Sequence, residues 1–181
     1  MQPTCTVLAL VGLCTTTVAV AKLGAPGGPR KLHYDVPDSF EVMAAYPSAV
    51  ALSDADNDTI FDCLLTHRTD IDYEAKKATF VWYTGGFGDV PKQEIPFVVT
   101  PGPTRGTIDM LVGDDPDVKE GIFYYFDNNC VVMDIEYHGH QCILWTQVHL
   151  IHNVPAVCRE QFVDTCGVVI NPHRRDLCSD D

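Results

Sequence analysis

Apolar and polar side chains alternate with a period of two through most of the chain after residue 47, the pattern of strands that bury one face. Segments of this kind fall at Ser48–Leu52, Thr59–Arg68, Ala75–Tyr83, Glu94–Thr100, Thr107–Val112, Ile122–Phe126, Val131–Tyr137 and Cys142–His149. Turn formers separate them, among them Gly85-Gly86, Pro101-Gly102-Pro103 and Gly113-Asp114-Asp115-Pro116. Asp127-Asn128-Asn129 and His138-Gly139-His140 are short enough to be hairpin turns. Ahead of the strands, Asp38 is placed as an N-cap with Glu41 three residues on, which predicts a short helix over 38–46 that Pro47 stops. Behind them, a second helix begins at Pro155 and ends at Gly167. Eight strands joined mostly by tight turns predict an all-β fold, an eight-stranded antiparallel up-and-down barrel with a helix before it and another after it. A two-sheet sandwich is the competing architecture.

Strand alternation also says which side chains face inward. On the seventh strand Val131, Met133, Ile135 and Tyr137 share one face and belong inside, whereas Asp134 and Glu136 belong in water. On the eighth, Ile143 and Trp145 alternate with Cys142 and Leu144. With Trp145 inside, Cys130 and Cys142 both face out, where a helix packed on the barrel wall offers Cys158 and Cys166. Six cysteines allow fifteen pairings, and facing does not choose which wall cysteine meets which helix cysteine. Cys63 and Cys178 are left to tie the second strand to the C-terminal tail.

The cysteine count depends on the N-terminus. Val7 to Ala21 is apolar or hydroxylated, uncharged, and ends in Ala19-Val20-Ala21, a small-x-small pattern that signal peptidase accepts. At roughly 15 residues it is short for a membrane span, which needs about 20. Residues 1–21 therefore read as a signal peptide and 22–181 as one domain. Removing the first segment takes Cys5 and Cys14 from the eight cysteines and leaves six, an even number that suits three disulfides in a secreted chain. Asn57-Asp58-Thr59 is a glycosylation sequon that fits the same compartment. A formal net charge of −13 repels phosphate backbones and anionic membranes, so neither nucleic acid nor a membrane is an expected partner.

Phe61-Asp62-Cys63-Leu64 with Arg68, Cys130-Val131-Val132, Cys142-Ile143-Leu144-Trp145, Val154-Pro155 with Cys158, and Asp176-Leu177-Cys178 together resemble the tick salivary lipocalins of the histamine-binding family. The resemblance covers nearly all of the chain after the leader. It implies the pairs Cys63–Cys178, Cys130–Cys158 and Cys142–Cys166. It also implies secretion in saliva and capture of host mediators: amines such as histamine or serotonin, lipids such as leukotrienes, or, in a few members, complement. Amine-binding members carry an Asp and a Glu at positions where this chain has Val131 and Ile143; only Leu144 and Trp145 of the second motif remain.

A protonated amine in a dry cavity loses hydration worth several kcal/mol, which carboxylates must replace. Asp109, Asp127 or Asp134 would have to supply that charge from another wall. The expected ligand-binding lining is instead apolar: Trp145, Ile143, Val131, Met133, Ile135, Tyr124, Phe126 and Trp82. An anionic lipid head would need a base at the barrel entrance, for which His67, Arg68, Lys76 and Lys77 are the candidates. The leading reading is thus a secreted, monomeric scavenger of a small amine or lipid. The alternative is a filled barrel whose outer surface inhibits a host protein of complement or haemostasis. No nucleophile elbow, P-loop or paired metal-ligand knuckle occurs, so neither catalysis nor a cofactor nor a metal is expected.

Overall fold

The computed structural model describes residues 37–54, 64–84 and 93–167. Its first element, α1 (Ser39–Ala45), starts where Asp38 accepts hydrogen bonds from the amides of Phe40 at 3.0 Å and Glu41 at 3.1 Å. Eight strands follow in chain order: β1 (Ser48–Asp54), β2 (Leu65–Asp72), β3 (Lys77–Thr84), β4 (Gln93–Pro101), β5 (Thr107–Val112), β6 (Lys119–Phe126), β7 (Cys130–Glu136) and β8 (His140–Thr146). Each pairs antiparallel with the next, and β8 returns to pair with β1, so the sheet closes into a barrel of eight strands in up-and-down order. Closure removes the exposed edges at which other chains would pair. The sandwich alternative is excluded by the β1–β8 ladder.

Three local departures from regular alternation matter. β1 bulges between Ala51 and Ser53, β2 between Arg68 and Asp70, and β6 between Phe123 and Tyr125. A bulge inserts one residue without a partner and reverses the facing of all that follows. In β6 the result is that Phe123 and Phe126 oppose the inward residues Met133 and Val131, while Tyr125 opposes the outward Val132. Beside them Gly121 makes a close approach possible, since a Cβ there would lie 2.8 Å from Cγ1 of Ile108.

β8 ends at Thr146, and Val148–Leu150 forms a 3-10 turn where the alternation predicts continued strand. The chain then enters α2 (Ala156–Cys166), which Gly167 ends in the left-handed conformation at φ 74°. Inward-facing Cys158, Phe162, Thr165 and Cys166 include one large hydrophobe, so apolar burial alone holds this helix weakly. Disulfides Cys130–Cys158 and Cys142–Cys166 fasten it to the outer face of β7 and β8. Cys130, Val132, Cys142, Leu144, Cys158 and Phe162 are fully buried there and form a second core outside the barrel wall.

This covering helix overturns one expectation. Asp134, expected in water, is 3 % exposed on the outer face of β7, opposite Cys142. Glu136, one turn of the pleat further, is exposed as expected. Cys63, Cys178, Asn57 and residues 1–21 lie outside the described residues.

Candidate functional site: the interior of the barrel

The inner faces of the strands do not meet at the centre. A cavity of about 80 Å³ remains between them, partly open to solvent. Antiparallel order places α1 and the β2–β3, β4–β5 and β6–β7 connections at one end of the barrel, and the β5–β6 and β7–β8 connections at the other. α1 closes its end from below, with Val42, Met43 and Tyr46 turned toward the space. Two contacts fix it there. Arg68 donates to the carbonyls of Met43 at 2.8 Å and Ala44 at 2.7 Å, and the Tyr46 hydroxyl donates to the Asp127 carbonyl at 2.8 Å. Burial and the nearby Asp127 charge push the Tyr46 phenol well above its ordinary pKa, so it stays a donor.

Phe80, Trp82 and Phe97 form an aromatic wall on β3 and β4, with the Trp82 and Phe97 rings 4.4 Å apart. Ile108, Met110 and Phe123 line the next wall, and Val131, Met133, Ile135 and Trp145 the one after. Ala49 and Thr66 complete the ring on β1 and β2. Thr66 is part of the ring with its hydroxyl oxygen buried, and no carboxylate or basic residue borders the space among the described residues.

Of the eight side chains expected to line the interior, Trp145, Val131, Met133, Ile135 and Trp82 do so. Ile143 faces inward and is wholly buried in the same core without bordering the space. Phe126 packs at the edge of that core, its ring 5.9 Å from Tyr46. Tyr124 differs more: it lies at the register shift of β6, between Phe123 and Tyr125, and it is only partly buried. Burial first, then the charges of Asp134 and Glu120, push its phenol up to about 12. Phe123 lines the space in its stead, and only a visible bulge could have announced that exchange.

None of the three alternative acids reaches the interior. Asp109 lies opposite Thr100 and Glu120, and Asp134 pairs outside with His140 at 2.8 Å. Asp127 sits in the β6–β7 turn, where it accepts from the amides of Asn129 and Cys130 and from the Tyr125 hydroxyl. The basic candidates are not gathered at an entrance either. Arg68 holds α1, His67 bonds Ser48 at 2.7 Å, and Lys76 and Lys77 are exposed at the β2–β3 turn. His138 meets the Tyr137 ring edge to face at 4.4 Å while His140 turns to Asp134, so that turn does not bring its two histidines onto one ion. Asp127, Cys130 and Cys158 come close together, but both sulfurs are engaged in a disulfide.

A closed antiparallel barrel with a helix plugging one end and an apolar interior defines a lipocalin-type ligand binder. A family profile described as tick histamine binding protein matches residues 48–177, and the chain belongs to that family. A search of curated proteins found no match. Among the described residues no helix is long and apolar enough to cross a membrane.

Proposed function

We propose that this protein is secreted in saliva and sequesters a small apolar host mediator of the lipid class inside its barrel, thereby blunting host defence. The observation that carries this reading is the lining: sixteen residues, apolar but for one hydroxyl, one phenol and two indoles, and free of carboxylates. The family's usual amine ligand is positively charged. Inside this space it would give up hydration worth several kcal/mol, and cation–π attraction from Trp82 or Trp145, about 0.5–2 kcal/mol each, does not replace that. An uncharged chain or ring gains roughly 25 cal/mol for each Å² of apolar surface it hides. Two disulfides support an oxidising destination, which agrees with a cleaved leader over residues 1–21 and glycosylation at Asn57.

Both tryptophans of the chain border the space, so all indole emission reports on it. Titration with an uncharged lipid, such as the methyl ester of a leukotriene, is expected to change that emission saturably, at one lipid per chain, while histamine leaves it unchanged and gives no heat in calorimetry. Saturable histamine binding with silence toward lipids would overturn the proposal.

A further inference from the structure

The space between the strands is small for the ligand class it is read to take. An apolar cavity of roughly 150 Å³ accepts one benzene ring, and pockets for drug-sized ligands run to roughly 300–1,000 Å³. A cavity of about 80 Å³ accommodates a lipid chain only if part of its lining gives way. Most of that lining does not yield easily. Val and Ile side chains are stiff at χ1. The Phe97 ring lies 4.4 Å from Trp82 and 5.5 Å from Phe80, and the Tyr46 hydroxyl is held by the Asp127 carbonyl. Methionine is the exception, an unbranched side chain with three rotatable bonds that fills irregular gaps and re-packs. The chain has four methionines, and all but Met1 border this space: Met43 on α1, Met110 on β5 and Met133 on β7. All three are buried. The terminal methyl of Met133 lies over Gly121, where a Cβ would come within 3.3 Å of it.

We propose that Met43, Met110 and Met133 are movable fillers that set how long an apolar ligand the barrel accepts. This rests on the reading of the interior as a lipid site and adds how that site makes room. The three thioethers come from the plug helix and from two walls, so their rotamers change without breaking a strand ladder or loosening the grip of Arg68 on α1. Each methylene of ligand that enters hides apolar surface. A methionine that turns exchanges one apolar contact for another, against a chain or a ring. Leucine has a similar volume and is a swap that cores tolerate well, but it is branched and has one rotatable bond fewer. Leucine at these positions therefore keeps the wall and removes the give.

The test titrates the methyl esters of butanoic, octanoic and dodecanoic acid into the wild type and into the triple variant Met43→Leu/Met110→Leu/Met133→Leu, followed by tryptophan emission. Wild-type affinity is expected to rise about fourfold with each added methylene. In the triple variant the rise is expected to stop short of dodecanoate, so that the ratio of dodecanoate to butanoate affinity falls at least about tenfold. In wild type labelled with carbon-13 at the methionine methyls, dodecanoate is expected to change the Met43, Met110 and Met133 resonances, which report the terminal torsion. Equal chain-length dependence in both proteins, or methionine signals that stay put when dodecanoate binds, refutes the fillers while the lipid site stands. If wild-type affinity already levels off at butanoate, the space does not enlarge and the proposal is likewise overturned. If no ester binds the wild type, the lipid-site reading falls and the fillers fall with it. The methyl signals are read on the wild type alone, so a poorly folding variant leaves that criterion intact.

Discussion

Asp134 carries a charge on a strand face that α2 has roofed over. Burial raises its carboxyl pKa above the ordinary 3.8 by more than the His140 hydrogen bond lowers it, and Glu136 and Glu120 add to the rise. The folded chain therefore holds this proton more tightly than the unfolded chain. Its contribution to stability is present in full below 3.8 and is lost as pH rises through the raised folded value. Asp134→Asn keeps an acceptor for His140 and discards the charge. Calorimetric scans at a series of pH values are expected to show that this variant melts above the wild type at pH 7, with the difference shrinking toward pH 3; a lower melting point at neutral pH would mean that the ion pair outweighs desolvation. Val131 and Ile143 allow the opposite experiment. Val131 borders the space and Ile143 is buried beside it, so the Val131→Asp/Ile143→Glu variant places two carboxylates against the barrel interior. It is expected to gain calorimetrically detectable histamine binding and to lose several kcal/mol of stability without it.

At the scale of elements, two attachments are separable. Arg68 meets the C-terminal carbonyls of α1 with two charge-assisted hydrogen bonds, each worth about 1.5–3 kcal/mol at most. Arg68→Met keeps the aliphatic stem and is expected to cost about 2 kcal/mol in urea denaturation. The disulfides of α2 span 28 and 24 residues. Replacing Cys142 and Cys166 with Ala is expected to remove about 3 kcal/mol on the chain-entropy estimate, and far-ultraviolet dichroism of that variant should melt helix before strand. The elements themselves were largely legible in sequence. β5 has the bounds that alternation predicts, Thr107–Val112, because turn formers flank it on both sides. The outward facing of Cys130 and Cys142 followed from Trp145, because β7 and β8 contain no bulge. Tyr124 was misplaced for the converse reason: Phe123-Tyr124-Tyr125-Phe126 offers four aromatics in a row, and nothing in that run marks where the register slips. Asp134 was misplaced because alternation distinguishes two faces of a strand but not whether a distant helix covers the outer one.

For the molecule as a whole, a net charge of −13 surrounds an interior whose described lining carries no charge. A neutral ligand feels no such field, so its association rate is expected to be the same between roughly 0.01 and 0.5 M salt, whereas a cation would enter more slowly as salt rises. Stopped-flow tryptophan emission separates the two. The location of the space was the less legible part of the site, since it depends on eight inner faces failing to meet and no single segment encodes that.

The ring of strands is also lopsided. β7 and β8 have a core on both sides, whereas the outer faces of β2 to β4 meet water at His67, Asp70, Glu94 and Pro96. One sector thus acts as a keel, and the rest hangs from it like planking. Amide protons along Val131–Ile135 and Gln141–Trp145 should be the last to exchange with deuterated solvent, and entry and exit of cargo should proceed by breathing of the far planks while the keel stays whole.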